Sequence, residues 1–177
     1  MQNNTNPLAK KLRVVAAALV LSGTGLITIL NQEGYTSKAT IPTKNDRPTV
    51  GFGSTFNEDG SPVKIGDTIT PQRALLKAAA HLNKAETLFR ASIPTVPLYQ
   101  QEYDVYMDFV YQFGINTWNK SGMKKNLLAG DYKAACDSLL KYKYSGGYDC
   151  STKGNTRCRG VWLRQLKRHD TCLKAAV

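Results

Sequence analysis

The longest uncharged apolar stretch of the chain, "VVAAALVLSGTGLITIL", runs from Val14 to Leu30 and follows Lys10, Lys11 and Arg13. As a helix it reaches roughly 25 Å at about 1.5 Å per residue, a little short of a hydrocarbon core of about 30 Å. Ala16, Ala17, Ala18, Ser22, Gly23, Thr24 and Gly25 gain little from lipid, so the pattern predicts a segment that inserts but holds weakly. The basic flank predicts an N-terminus inside and everything after Leu30 outside the cytoplasm. A cleaved signal peptide is the alternative, its apolar region ending near Leu21 and small residues such as Gly23 and Gly25 preceding the cut. No second run of comparable length follows. The chain therefore divides into an N-terminal membrane segment, residues 1–30, and a globular domain, residues 31–177.

Residues 37–68 are rich in Thr, Pro, Gly, Asn and Asp and carry short apolar stretches at Thr49 to Phe56 and Val63 to Ile65. They predict a small β-region, with "NEDGSP", Asn57 to Pro62, as the hairpin turn between those stretches. Thr70 and Pro71 then supply an N-cap and a first-turn proline for a helix over residues 71–91. Its Leu75, Leu76, Ala79, Leu82, Ala85 and Leu88 recur at helical spacing. Pro94 and Pro97 interrupt, and Leu98, Tyr106, Phe109 and Val110 predict a second helix ending near Gly114; its aromatic residues read as core. Two shorter helices, near Met123 to Ala129 and Tyr132 to Tyr142, and a last one from about Gly160 to Lys174 complete an α+β pattern, a small β-element followed by a helical lobe.

Composition narrows the partners. The 177 residues hold 24 Lys and Arg against 13 Asp and Glu, a net charge of +11, which favours an anionic partner. No helix-turn-helix signature, zinc-finger spacing or aromatic RNA-binding motif accompanies the charge, and the basic residues spread from Lys10 to Lys174. That argues against nucleic acid and leaves a membrane surface or an anionic cell wall. Cys136, Cys150, Cys158 and Cys172 form no paired C-x-x-C knuckles, and His81 and His169 lie far from any cluster of them, so a metal site is disfavoured. Two disulfides in an oxidising compartment fit better. Of three connectivities, the preferred one joins Cys150 to Cys158, closing "CSTKGNTRC", and Cys136 to Cys172, stapling two C-terminal helices.

The candidate chemistry lies next to the membrane segment, in "EGYTSKATIPTKNDRPTVGFGST", residues 33–55. Glycoside hydrolysis needs a carboxylic acid to protonate the leaving oxygen and usually a second carboxylate, and Glu33 and Asp46 can supply them. Glu33 would end a helix containing "LITILNQ", with Gly34 as terminator; the carbonyl end of a helix disfavours negative charge, which suits a proton donor. Thr49 opens a strand whose Gly51 and Gly53 allow close approach, and its hydroxyl can orient a water.

"EG" followed by "PTVGFGST" resembles the catalytic region of phage-type lysozymes, glycoside hydrolase family 24, with its Glu, Asp and Thr triad. "DFVYQFG", residues 108–114, is similar to the family's central helix over the glycan cleft, "SGMKKNLLAGDYKAA" to the segment that follows, and "RGVWLRQLKRH" to the Arg-rich last helix. The resemblance implies a lysozyme-like fold with a glycan cleft between the lobes and muramidase activity without a cofactor. Glu33 would be the acid and Thr49 the water-positioning residue, with Gly51, Gly53 and Gln112 contacting sugar. The family's Asp sits six residues before the Thr, where this chain has Thr43, while Asp46 lies three before Thr49. If Asp46 does not serve, the same fold implies a lytic transglycosylase; a non-enzymatic, membrane-anchored wall-binding protein is the alternative from another class.

The apolar segment beside this site is similar to that of signal-anchor-release endolysins. Those insert through the host export machinery and stay tethered and inactive in the inner membrane, facing the periplasm. They become soluble periplasmic enzymes when the bilayer depolarises, and this chain is expected to be a monomer. Val14 to Leu30 contains no cysteine, so a thiol-exchange switch within the anchor is not expected.

Overall fold

The computed structural model describes residues 12–42 and 46–176. The apolar N-terminal run is not one helix. Val14–Val15 form a short strand, β1, and Ala16–Ala18 a single 3₁₀ turn. The chain is then extended until helix α1, Gly23–Glu33, begins at Ser22, whose hydroxyl caps the Gly25 amide at 3.0 Å. Ser22 wins over continuous apolar helix because a serine oxygen at the N-cap satisfies an amide that would otherwise have no partner. The membrane-length helix expected over Val14 to Leu30 is therefore replaced by three pieces. No helix among the described residues is long and apolar enough to cross a membrane.

The β-lobe follows. Strands β2, Thr36–Thr40, and β3, Thr49–Gly51, pair antiparallel with Thr36 opposite Gly51 and Thr40 opposite Thr49. The expected hairpin around Asn57 to Pro62 is present only as a turn, with the Asn57 amide donating to the Ser61 carbonyl at 2.7 Å and a single bridge between Phe56 and Pro62. The main hairpin lies one segment earlier, because Gly51 and Gly53 at φ 68° and 78° end the strand soon after Thr49. Ala39, Val50 and Val63 form this lobe's small core against Ile69.

The long helix α2, Pro71–Ser92, starts at the expected N-cap, Thr70. Its buried face is Ala74, Ala78, Leu82, Glu86 and Phe89, whereas Leu75, Leu76 and Leu88 are exposed. Small alanines are buried because α2 passes close to the β-lobe; a Cβ on Gly51 would come within 2.9 Å of the Ala74 Cβ. After the short strand β4, Pro97–Leu98, which pairs with β1, comes the central helix α3, Gln100–Phe113. Buried on most sides, α3 packs against α1, α2, the unanticipated short helix α4, Ile115–Asn119, and the last helix α7, Arg159–Ala176. Helices α5, Gly122–Leu128, and α6, Tyr132–Ser138, lie near their expected places. Phe89, Tyr103 and Trp118 meet edge to face in the main core, with Phe89 and Trp118 ring centres 4.9 Å apart, and the Trp118 indole N–H donates to the Ser92 hydroxyl at 2.8 Å.

Cys136 and Cys172 are bridged, fastening α6 to α7 across a Cα separation of 5.6 Å. Cys150 and Cys158 are bridged at 5.0 Å, closing the loop behind the hairpin of β5, Tyr144–Ser145, and β6, Tyr148–Asp149. This is the expected pairing, and it takes up all four sulfurs.

Candidate active site

Glu33 is the last residue of α1. Gly34, at φ 70°, turns the chain there, and its amide closes the helix on the Leu30 carbonyl at 3.1 Å. The Glu33 side chain is 26% exposed, so it is open to a ligand yet held. One carboxylate oxygen, Oε1, accepts from Arg164 Nη1 at 3.1 Å. The other, Oε2, faces the β-lobe, where a Cβ placed on Gly53 would lie 3.9 Å away. Of the two glycines after Thr49, Gly53 is the one turned toward the acid, while Gly51 is buried against α2.

Thr49 is half-buried at the start of β3, and its hydroxyl donates to the Thr40 carbonyl at 3.5 Å. With the proton so directed, the oxygen remains able to accept from a water. Asp46 is exposed, and its Oδ1 accepts from the Arg47 amide at 2.8 Å. Thr43, the residue that the resemblance sets at the family's Asp position, lies outside the described residues.

Behind Glu33 stands a charge cluster that inspection of single motifs does not reveal. Asp108 on α3 receives Arg164 Nη2 and, at 2.6 Å, Arg168 Nε; Arg168 also donates to the Asp108 carbonyl at 2.8 Å and to Gln112 Oε1 at 2.7 Å. Side-chain exposures of 9% for Arg164, 3% for Arg168 and 8% for Asp108 place the cluster out of water, where each charge depends on its partners. Burial alone would push the Asp108 carboxyl up, but the Arg168 charge and hydrogen bonds from both arginines outweigh it and hold the group below the usual carboxylate range. Gln112 is thus oriented by Arg168, which takes its carbonyl oxygen. The sequence signal was a pair of i, i+4 spacings, Asp108 with Gln112 and Arg164 with Arg168, on two helices that face each other.

A cleft of about 340 Å³ opens beside Gly53 between the β-lobe and α2 and α3, with walls that include Phe52, Phe56, His81 and Tyr111. Tyr111, read from sequence as core, is half-buried on this wall and donates to the Phe52 carbonyl at 3.5 Å. Burial, with the neighbouring Glu33 charge adding to it, pushes its phenol up, so it stays a neutral donor and a flat apolar surface. Aromatic faces with polar edges suit a pyranose ring.

A helical lobe, a small β-lobe and a carboxylic acid at the end of the first helix facing a groove between them define a lysozyme-type protein. The phage lysozyme family model matches residues 31–164, and the chain belongs to that family. It is 29% identical over 126 residues to the endolysin of Salmonella phage P22, covering 71% of this chain and 85% of that one. It is 31% identical over 122 residues to the endolysin of Acyrthosiphon pisum secondary endosymbiont phage 1, covering 69% and 79% respectively. Among solved structures, the endolysin from Escherichia coli O157:H7 phage FAHEc1 superposes with a TM-score of 0.75 at 26% identity, over 90% of this chain and 96% of that one.

Proposed function

We propose that this chain is a phage endolysin that hydrolyses the β-1,4 bond between N-acetylmuramic acid and N-acetylglucosamine in peptidoglycan. The observation that carries the reading is the placement of Glu33, fixed at a helix end by Arg164 with its free oxygen facing Gly53. In the reaction Glu33 gives its proton to the departing glycosidic oxygen, and a water held by the Thr49 hydroxyl attacks the anomeric carbon. Asp46 takes the proton that the water loses and stabilises the positive charge on the sugar. Gly53 and Tyr111 line the cleft, Gln112 held by Arg168 is the third sugar contact in this reading, and no cofactor enters any step.

The same reading has the chain exported by the host machinery, tethered as a monomer at the inner membrane by Val14 to Leu30, and active in the periplasm after release. Support comes from what the folded protein does with that run. Val20 and Ile27 remain 59% and 60% exposed, so the apolar sequence exceeds what the core uses. While Leu26 to Leu30 are in lipid, α1 cannot present Glu33 to the β-lobe.

Mass spectrometry of peptidoglycan fragments made by the released protein tests the chemistry. Hydrolysis gives fragments with reducing N-acetylmuramic acid ends. Ends in the 1,6-anhydro form would assign a transglycosylase of the same fold, and intact glycan with wall binding would assign a non-enzymatic role.

A further inference from the structure

Arg13 begins on the wrong side of the bilayer for the place it occupies in the folded protein. In the tethered state proposed above it lies on the cytoplasmic flank of the apolar run, held there as a cation by the inside-negative potential. In the structure its guanidinium forks onto Glu102 of α3, with bonds of 2.9 and 3.1 Å to the two carboxylate oxygens. It lies 4.4 Å from the Tyr99 ring centre and 3.8 Å from that of Tyr132. Glu102 is fully buried and also accepts the Tyr99 amide at 2.8 Å. A slot with a buried carboxylate at its base and aromatic rings along its sides fits a guanidinium and little else.

The rest of the segment is received in the same manner. The Ala16 amide donates to the Val96 carbonyl at 2.8 Å, the Leu21 amide to Glu86 Oε1 at 2.6 Å, and the Ser22 amide to Asp104 Oδ1 at 3.1 Å. Ser22 also donates its hydroxyl to Asp104 while capping α1. Glu86 also accepts the Tyr103 hydroxyl at 2.7 Å, Asp104 the Gln100 side-chain amide at 2.9 Å and Glu102 the Tyr99 amide, so these carboxylates of α2 and α3 gain further donors from the segment, and the last of them fix the start of the helix that ends in Glu33.

We propose that Arg13 is a positioning residue that couples departure from the bilayer to assembly of the acid site. The Arg13–Glu102 pair forms only once the whole segment, including its cytoplasmic flank, has crossed. Its formation draws Val14 to Ser22 into register, seats α1 on α3, and so places Glu33. A chain that has left the membrane but has not seated Arg13 is folded and released, yet slow. The proposal rests on the tethered-muramidase reading and extends it to regulation.

The test uses full-length protein collected after release, with Arg13→Gln, Glu102→Gln and Arg13→Lys variants assayed on soluble peptidoglycan strands well below their melting temperatures. Both Gln variants should lose about 10- to 100-fold in kcat, since a misplacement near 1 Å costs that much, with KM within about twofold because the cleft is intact. Arg13→Lys should recover part of the loss. Gln variants with kcat within about threefold of wild type and only a lower melting temperature would reduce the pair to a stabilising contact and overturn the proposal. Hydrogen exchange on unaltered protein provides a measurement that survives a failure of the variants to fold. The α3 peptide that carries Glu102 and Asp104 should exchange more slowly in the released form, where Arg13 and Ser22 bind it, than in protein held in membrane vesicles; equal exchange of that peptide in the two states overturns the proposal. Wild-type protein that yields no muramidase fragments overturns the enzymatic reading instead, and leaves the exchange result to decide the docking.

Discussion

Replacing Asp108 by Asn leaves two buried guanidiniums, Arg164 and Arg168, without the carboxylate between them. Removing one partner of a buried pair costs about 3–5 kcal/mol, and because Arg164 keeps Glu33 the lower end, about 3 kcal/mol, is expected. For a protein of this size each kcal/mol moves the melting temperature by about 2–4 °C, so Asp108→Asn should melt about 6–12 °C below wild type near neutral pH. The pH dependence gives a second reading of the same cause. Asp108 is held below its ordinary value of 3.8, so its contribution is full above that value and is lost as pH falls through the lower folded value. The gap between variant and wild type should therefore be constant from neutral pH down to about 5 and narrow below about 4. Thermal unfolding followed by circular dichroism across that range measures both. A fall of less than about 2 °C, or a gap that does not narrow in acid, would refute the account of Asp108 as the charge that holds the two arginines.

Glu33→Gln should fold and be exported normally but lose about 10²- to 10⁴-fold in lytic rate, read as turbidity loss of a cell-wall suspension; activity within a few fold of wild type would dismiss Glu33 as the acid. Asp46→Asn should cost about 10²-fold in the same assay, and near-normal turnover would place the second carboxylate elsewhere. The double variant Cys136→Ser, Cys172→Ser should lose about 2–4 kcal/mol of stability in denaturant titration with kcat unchanged at low temperature, and a matching fall in kcat would show that the staple also shapes the site. Gly23→Leu should strengthen lipid transfer by roughly 0.5–1 kcal/mol and delay the shift of the protein from membrane to soluble fraction on depolarisation, whereas Gly25→Ala should release on time and be slow to lyse. Equal release times for Gly23→Leu and wild type would count against the weak-anchor account.

Which features could be read from sequence follows the range of the forces involved. Helix starts were legible because Thr70 with Pro71 acts on amides within one turn, and the end of α3 because Gly114 does the same. The disulfide pairing was legible because loop closure favours Cys150 with Cys158 and leaves the other two. The buried face of α2 was not. Leu75, Leu76 and Leu88 have the right period, but the close approach of the β-lobe selects the alanine face, and that approach is a tertiary fact. Likewise the positions of Glu33 at the end of a helix and Thr49 at the start of a strand follow from local order, while Asp108, Arg164 and Arg168 meet only when α3 and α7 pack.

The proposed anchoring asks the N-terminal run to serve two environments, and its glycines differ between them. On the proposed anchoring, Gly23 and Gly25 weaken the hold in lipid alike. In the folded protein a Cβ on Gly23 meets nothing within 4 Å, whereas one on Gly25 would stand 2.7 Å from Leu21 Cδ1 and 2.8 Å from Asp104 Cγ. Asp104 is the carboxylate that receives Ser22, so a side chain at Gly25 pushes at the contact that starts α1. Such overpacking costs about 1–3 kcal/mol. Under the proposed anchoring Gly23 therefore answers to the membrane alone and Gly25 to both the membrane and the dock. The proposal then makes release and activation separable steps, and it predicts that a variant that leaves the bilayer promptly but seats its first helix poorly accumulates as soluble, folded, slow enzyme.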